Sequence, residues 1–299
     1  MTSYKELLDE TQEYSLKVKQ YAKLQIEQRI WDSITSNDLD NWLGNFKTTE
    51  EQLLGAILLE SLISRSEAQT TSILTSALQC SLPNAKYNTP EEIFEGIDYI
   101  KQLTSRQVLD SIRIVPVIRD LDPPTKSGPS IARMYKRQLG VNEKYMIWPW
   151  LIKDYIPKGT NSFVFIDDVL ASGQQASEFF TAYELNKYEN VHFSYIPLLA
   201  HEEGINRLKK DHPYINISPV EKISHDNSLF KSERFSSIID LEELYLKVAK
   251  KYINRRLFNQ MPTGYNSLAL TFSYHHATPN ASLPLYWYES ETFYPLVRR

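Results

Sequence analysis

Two adjacent aspartates, Asp167 and Asp168, stand out in the stretch FVFIDDVLASGQQASEFF, residues 163–180. The apolar run Phe163-Val164-Phe165-Ile166 precedes them, and the small residues Ala171, Ser172 and Gly173 follow. The run reads as a buried strand, and the segment after Gly173 reads as a helix. In open parallel sheets, ligands bind beyond the carboxyl ends of the strands. Two acids placed there can hold vicinal hydroxyls, directly or with help from Mg2+. A turn of small residues lets backbone N–H groups approach a ligand closely. The helix after it adds free N–H groups and the positive end of its dipole. Together these parts fit a ribose 5-phosphate. The plain alternative is a turn in which one acid caps the next helix. The apolar run before the pair and the small-residue turn after it favour the ligand reading. A Walker-type acid pair would need G-x-x-x-x-G-K-[ST] upstream, and a dinucleotide fold would need G-x-G-x-x-G; the sequence contains neither.

Positioning such a pair requires a sheet with crossover helices, and the middle of the chain has that pattern. SIRIVPVIRD reads as a strand, LDPPTKSG as a loop, and PSIARMYKRQLG as a helix with Pro129 in its first turn and Gly140 after its end. KYMIWPW reads as a second strand, followed by the 163–167 strand and a helix from about 173 to 188. VHFSYIPLLA and YINISPV read as strands on either side of the helix HEEGINRLKKDH. Strands alternating with helices predict a parallel sheet, and continuously apolar strands predict one covered on both faces. Residues 1–107 read as helical throughout, with no strand expected. Thr48 and Thr49 before Glu50 and Glu51 mark one helix start, and Thr89-Pro90 marks another. After 222, DLEELYLKVAKKYINRRLF reads as one amphipathic helix, and the last forty residues are rich in aromatics and proline. The expected organisation is a helical module over 1–107, an α/β core over 108–222, and a C-terminal helix with an aromatic segment over 223–299.

Hydrophobic residues make up 42% of the 299, charged residues 23%, and the net charge is −4. This is an ordinary globular composition, without the basic excess of a general nucleic-acid binder. Cys80 is the single cysteine, which excludes a disulfide within the chain. Its place in LTSALQCSLP predicts packing on the apolar side of a helix. The first residues are charged and amphipathic, unlike a signal peptide, and no window reaches the ~18 apolar residues of a membrane span. A cytoplasmic protein is expected, with no membrane partner.

VFIDDVLASGQQA resembles the phosphoribosyl-diphosphate (PRPP) binding motif of type I phosphoribosyltransferases, in which four apolar residues precede two acids and a Thr/Ser-Gly turn follows. It departs from that motif at Gln174 and Gln175, where the family carries Gly or Ser and then Thr. The resemblance covers roughly 110–220. It implies a parallel-sheet core of that type and PRPP or a related phosphorylated nucleotide as ligand. Asp167 and Asp168 would orient the ribose and bind Mg2+. Ala171, Ser172, Gly173, Gln174 and Gln175 would cradle the 5-phosphate. Lys126, Ser127 and Gly128 would form a pyrophosphate loop, with Arg119 as a second cation. The segment 140–162, with Lys144, Lys153 and Lys158, lies where the family often places a flexible loop. The C-terminal aromatic segment would serve as a hood over the base, with His276 and Asn280, beside His275, offering polar contacts.

The chain also resembles a narrower group, the phosphoribosyltransferase-like proteins of bacterial conflict and antiphage systems. Gly264 and Tyr265, then Thr278, Pro279, Asn280, Leu283, Pro284 and Trp287, carry that likeness. It implies an effector enzyme acting by Mg-assisted displacement at ribose C1, with a defence-system partner protein and a homodimer as further expectations. A nucleotide sensor without turnover and a structural subunit with a vestigial site are the other two readings.

Overall fold

Apolar side chains at three- and four-residue spacing build helices Thr11–Glu27 (α1), Ser36–Leu43 (α2) and Thr49–Ser61 (α3). Capping boxes start two of them: Thr35 and Asp38 begin α2, and Thr48 and Glu51 begin α3 as the sequence predicts. The computed structural model describes residues 10–86, 98–123, 126–231, 235 and 240–299. The expected helix start at Thr89-Pro90 and the loop centre at Pro124 and Thr125 lie outside them.

The chain folds as two compact units, one from residues 1–70 with 225–299 and one from residues 71–224. In the first unit, Trp42, Tyr245 and Tyr286 are fully buried, so the C-terminal aromatics are core to the N-terminal helices. The Trp42 indole N–H donates to the Leu285 carbonyl at 2.7 Å, and the Tyr286 hydroxyl donates to the Leu58 carbonyl at 2.7 Å. Each buried ring thereby satisfies its polar atom. Residues Ile63–Arg65 form a strand (β1) paired in parallel with Phe272–Tyr274 (β7), against the all-helical expectation for 1–107. Three residues are too few to register as a period. The amphipathic run after 240 is two helices, Leu241–Tyr252 and Arg255–Gln260, broken where Asn254 caps the second.

The second unit holds a parallel sheet of Ile112–Pro116 (β2), Ser162–Leu170 (β3), His192–His201 (β4), Ile215–Ile217 (β5) and Glu221–Ile223 (β6). The order is β2-β3-β4-β5, and β6 pairs with the far end of β4. Crossover helices Ser127–Leu139 (α4), Gln174–Tyr183 (α5) and Glu202–Asp211 (α6) connect the neighbours, the arrangement parallel pairing demands. The mixed α/β class with a parallel core is the one expected. Phe163 and Phe165 on β3 face Phe193 and Tyr195 in register on β4. Phe179 and Phe180 of α5 close over Phe165 at 5.6 and 5.1 Å. Burying each such ring contributes roughly 2–3 kcal/mol.

Several local expectations change. YMIW is no sheet strand: Met146 makes a single bridge to Ile114 before the chain turns at Pro149. The helix after Gly173 ends at Tyr183, because Glu184 takes a left-handed conformation. Cys80 is exposed, not packed. No helix among the described residues is long and apolar enough to cross a membrane.

Candidate active site

The strand carrying Asp167 and Asp168 does not end with them, as the sequence reading has it. β3 continues to Leu170, still paired with β4 through Val169 with Leu199 and Leu170 with Ala200. On its other side β2 stops: Pro116 lies opposite Ile166, and the last bond runs from Val117 N–H to the Ile166 carbonyl at 3.1 Å. The acids therefore stand where one flanking strand has ended and the other continues. They sit at a sheet edge that is open on one side.

The first turn of α4 fills part of that opening. A Cβ on Gly128 would lie 2.9 Å from the Val117 carbonyl oxygen, so glycine lets the helix settle directly on the end of β2. Ser127 is thereby aimed at the pair, and its hydroxyl donates to Asp167 Oδ1 at 2.9 Å. Ser127 and Gly128 belong to the helix, and Lys126 flanks it. Asp167 also accepts the Asp168 backbone N–H at 3.0 Å, while Asp168 accepts from Val169 N–H at 2.7 Å. Asp167 is 4% exposed and Asp168 is half-buried. Burial first, then the Asp168 charge, pushes the Asp167 carboxyl well above the usual carboxylate range; the Ser127 and backbone donors only partly offset this.

Tyr195 joins the site unannounced by sequence. It lies on β4, opposite Phe165 and two residues before Pro197, the partner of Asp167. Its hydroxyl is buried. Burial, and then the charges of Asp167 and Asp168, raise it well above the usual tyrosine range. The available signal was alternation: two residues apart on neighbouring parallel strands share a face.

The turn after β3 is tightly seated. Ser172 and Gly173 are buried, Ala171 is half-buried, and Gly173 has φ +77°. A Cβ on Gly173 would meet Gly204 Cα of α6 at 2.9 Å, and one on Gly204 would meet the Ala171 carbonyl oxygen at 2.4 Å. This pair of glycines fixes the turn against α6. The first N–H groups of α5 lack partners within the helix by construction and face the same edge.

Side chains then tie the expected loop to α5. Lys126 Nζ donates to Gln175 Oε1 at 3.0 Å. Arg119 pairs with Asp122 at 2.9 Å and with Glu178 at 2.8 Å, and Gln174 donates to Glu178 at 3.0 Å. The Arg119 hydrogen bonds hold the Asp122 carboxyl below the usual range despite its burial. The structure thus gathers Asp167, Asp168, Ala171–Gln175, Lys126, Ser127 and Gly128 at one edge, with Arg119 already engaged by two acids. His276 and Asn280 belong to the first unit. There His276 stacks on Tyr274 at 5.2 Å, and the Asn280 carbonyl accepts the Tyr265 N–H at 2.8 Å. Lys158 lies over the Tyr155 ring at 4.9 Å, and Lys144 and Lys153 are exposed.

Asp167 and Asp168 offer hard oxygen donors. No group of three or more His, Cys, Asp or Glu side chains that could hold a metal occurs among the described residues. That donor set fits Mg2+, which is commonly held by one or two carboxylates with substrate phosphates and water completing its shell. It does not fit a cation that needs an all-protein cage.

A search among curated proteins finds no match to the chain. A protein-family model described as PRTase-CE, a phosphoribosyltransferase-type family, matches residues 39–299. That match takes in both halves of the sheet edge and most of the chain, and the protein belongs to the PRTase-CE family.

Proposed function

We propose that the protein binds PRPP, or a related ribose 5-phosphate nucleotide, at the edge formed by β3, α4 and the turn 170–173. Family membership supports phosphoribosyl transfer in general. The observation that carries the specific reading is the contact between Ser127 and Asp167 at 2.9 Å, directly beside the glycine-seated turn. Two acids, a helix start and a close-packed turn at one sheet edge support the binding of a sugar phosphate there. The N–H groups of 171–175 take the 5-phosphate. Asp167 and Asp168 accept the ribose hydroxyls. Lys126 faces the pyrophosphate.

The chemistry is displacement at ribose C1: the bond to pyrophosphate breaks, positive charge develops on the sugar, and an acceptor forms the new bond. Asp168 and the ionised form of Asp167 stabilise that charge through space. Mg2+, held by Asp167 and Asp168 together with substrate oxygens, would neutralise the departing pyrophosphate. The physiological role that follows from the resemblance is an effector enzyme in antiphage defence, working with a partner protein.

A second reading, a nucleotide sensor without turnover, draws support from Gln174 and Gln175. Their side chains are bonded to Glu178 and Lys126, which ties the pyrophosphate-side loop to α5. Calorimetric titration of PRPP with Mg2+ tests the binding. Saturable binding that disappears in Asp167→Ala/Asp168→Ala supports the site, and wild-type protein that does not bind refutes it. Release of pyrophosphate then separates enzyme from sensor.

A further inference from the structure

Arg119 follows β2 and is bonded to two acids in unequal ways. Its Nε and one terminal nitrogen donate to Asp122 at 2.9 to 3.3 Å, and its backbone N–H donates to Asp122 Oδ2 at 3.0 Å. The Asp122 N–H returns a bond to the Arg119 carbonyl at 3.1 Å. Residues 119–122 thus form a closed turn, with the Asp122 side chain 7% exposed. Glu178 of α5 accepts one bond, at 2.8 Å, from the other terminal nitrogen of the same guanidinium, and its side chain is 46% exposed. Asp122 builds the turn. Glu178 fills the outward end of the guanidinium and can be replaced there without undoing the turn.

α5 begins directly after the small-residue turn, and Gln174, Gln175 and Glu178 share one of its faces by their three- and four-residue spacing. That face meets both cations that follow β2: Glu178 bonds Arg119, and Gln175 bonds Lys126 at 3.0 Å. Lys126 also acts on Asp122 through space, so the two cations surround one acid. Gln174 donates to the second Glu178 oxygen at 3.0 Å. That amide, and then Arg119, hold the Glu178 carboxyl below the usual range, so it is an anion at neutral pH. A protein carboxylate therefore stands on Arg119 where an anionic group of a ligand would bond.

We propose that Glu178 is a specificity-determining residue: it withholds Arg119 from any ligand that lacks a diphosphate. This role rests on the ribose-phosphate reading of the neighbouring edge. Glu178 lies outside the stretch that carries the motif resemblance, and its effect on affinity is opposite in sign to that of a binding residue. An exposed ion pair is weak, whereas a guanidinium–phosphate contact is charge-assisted and can be bidentate. A diphosphate brings more than one negative charge and displaces the single carboxylate. A ribose monophosphate, held by its phosphate on the turn 171–175, has no anionic group left for Arg119, so the Glu178 pair stays closed.

Calorimetry on Glu178→Ala, with PRPP and with ribose 5-phosphate in the presence of Mg2+, tests this. Glu178 is exposed on a helix, where alanine is well tolerated, so the fold is not at risk. PRPP is expected to bind the variant roughly two- to five-fold more tightly than the wild type, the worth of one exposed ion pair no longer to be broken. Ribose 5-phosphate should bind both proteins alike. In an Arg119→Gln/Asp122→Asn background, which leaves no buried charge unpaired, adding Glu178→Ala should give no gain. Unchanged or weaker PRPP binding by Glu178→Ala overturns the proposal. So does an equal gain for ribose 5-phosphate, or a gain that persists without Arg119, because either would be plain removal of a negative charge. Inorganic pyrophosphate reads separately from the ribose site. If PRPP binds the wild type and is lost in Asp167→Ala/Asp168→Ala, but Glu178→Ala brings no gain, only the role of Glu178 falls. If the wild type does not bind PRPP, but pyrophosphate binds more tightly to Glu178→Ala and only when Arg119 is present, the role of Glu178 stands and the ribose-phosphate reading falls.

Discussion

Gly204→Ala separates the seat of the turn from the stability of the fold. Gly204 lies in α6, where alanine is the better helix former by about 0.5–1 kcal/mol. The added Cβ would lie 2.4 Å from the Ala171 carbonyl oxygen and 2.8 Å from Leu170 Cγ, against an ordinary contact of 3.4 Å or more. The oxygen is main chain, so the turn must retreat by about 1 Å, the difference between those distances. Overpacking of this kind costs about 1–3 kcal/mol, and helix propensity offsets part of it. The net loss is roughly 0–2 kcal/mol, a drop of a few degrees in Tm. Ligand affinity should suffer far more, since a displacement near 1 Å costs on the order of 10²-fold where geometry is demanding. Two companions divide the cause. Gly140 has φ +73° and nothing within 4 Å of a Cβ, so Gly140→Ala carries only the left-handed backbone cost of about 1–2 kcal/mol and leaves binding intact. Gly173 has both φ +77° and a 2.9 Å contact, so Gly173→Ala should be the least stable of the three and lose binding as well. Thermal melting and PRPP calorimetry on the three variants decide it. Wild-type affinity in Gly204→Ala, or equal loss of binding in Gly140→Ala, would refute the reasoning.

Three further outcomes follow from the charges. The Asp167 carboxyl is raised in the folded protein, so the native state binds the extra proton and stability from this group falls as pH climbs above the ordinary carboxylate value. Asp167→Asn should therefore gain Tm over the wild type as pH rises from about 4, while losing the ligand; a Tm difference that is flat with pH would sink this. Asp122 is held low by Arg119, so its contribution is present above the ordinary carboxylate value and disappears as acid titrates it through its lowered one. Asp122→Asn should cost roughly 1–2 kcal/mol at neutral pH, discounted for the partly exposed Arg119, and nothing in strong acid. In the first unit, Glu51 accepts from Lys47 N–H, Thr48 N–H, the Tyr252 hydroxyl and Lys251 at 2.7 to 3.3 Å. Burial opposes ionisation there, but these donors together keep its carboxyl low. Chemical denaturation of Glu51→Ala should show a loss of about 2–3 kcal/mol, shrinking as pH falls through that lowered value.

The acid pair, the small-residue turn and the alternation of strand with helix were legible in the sequence because each is a local pattern. Four apolar residues in a row can only be buried, Ser172-Gly173 allows a left-handed turn, and Thr48 with Glu51 closes a capping box within four residues. These patterns set the class of the core and the edge on which the acids lie. They also placed the acids too near the strand's end, because where β3 stops depends on β4, which pairs as far as Leu170.

Tertiary structure alone decided the contacts between distant segments. Ser127 reaches Asp167 across 40 positions because Gly128 lets α4 rest on β2. Gly204 fixes a turn thirty residues earlier through a main-chain contact that no periodicity encodes. Tyr195 faces the acids only through strand register. The C-terminal aromatics become core of the first unit through hydrogen bonds such as Trp42 to Leu285, 243 positions apart. Patterning is written into neighbouring residues by burial and backbone preference. Which buried faces meet is settled by packing the whole chain at once, and the close contacts of the site are made there.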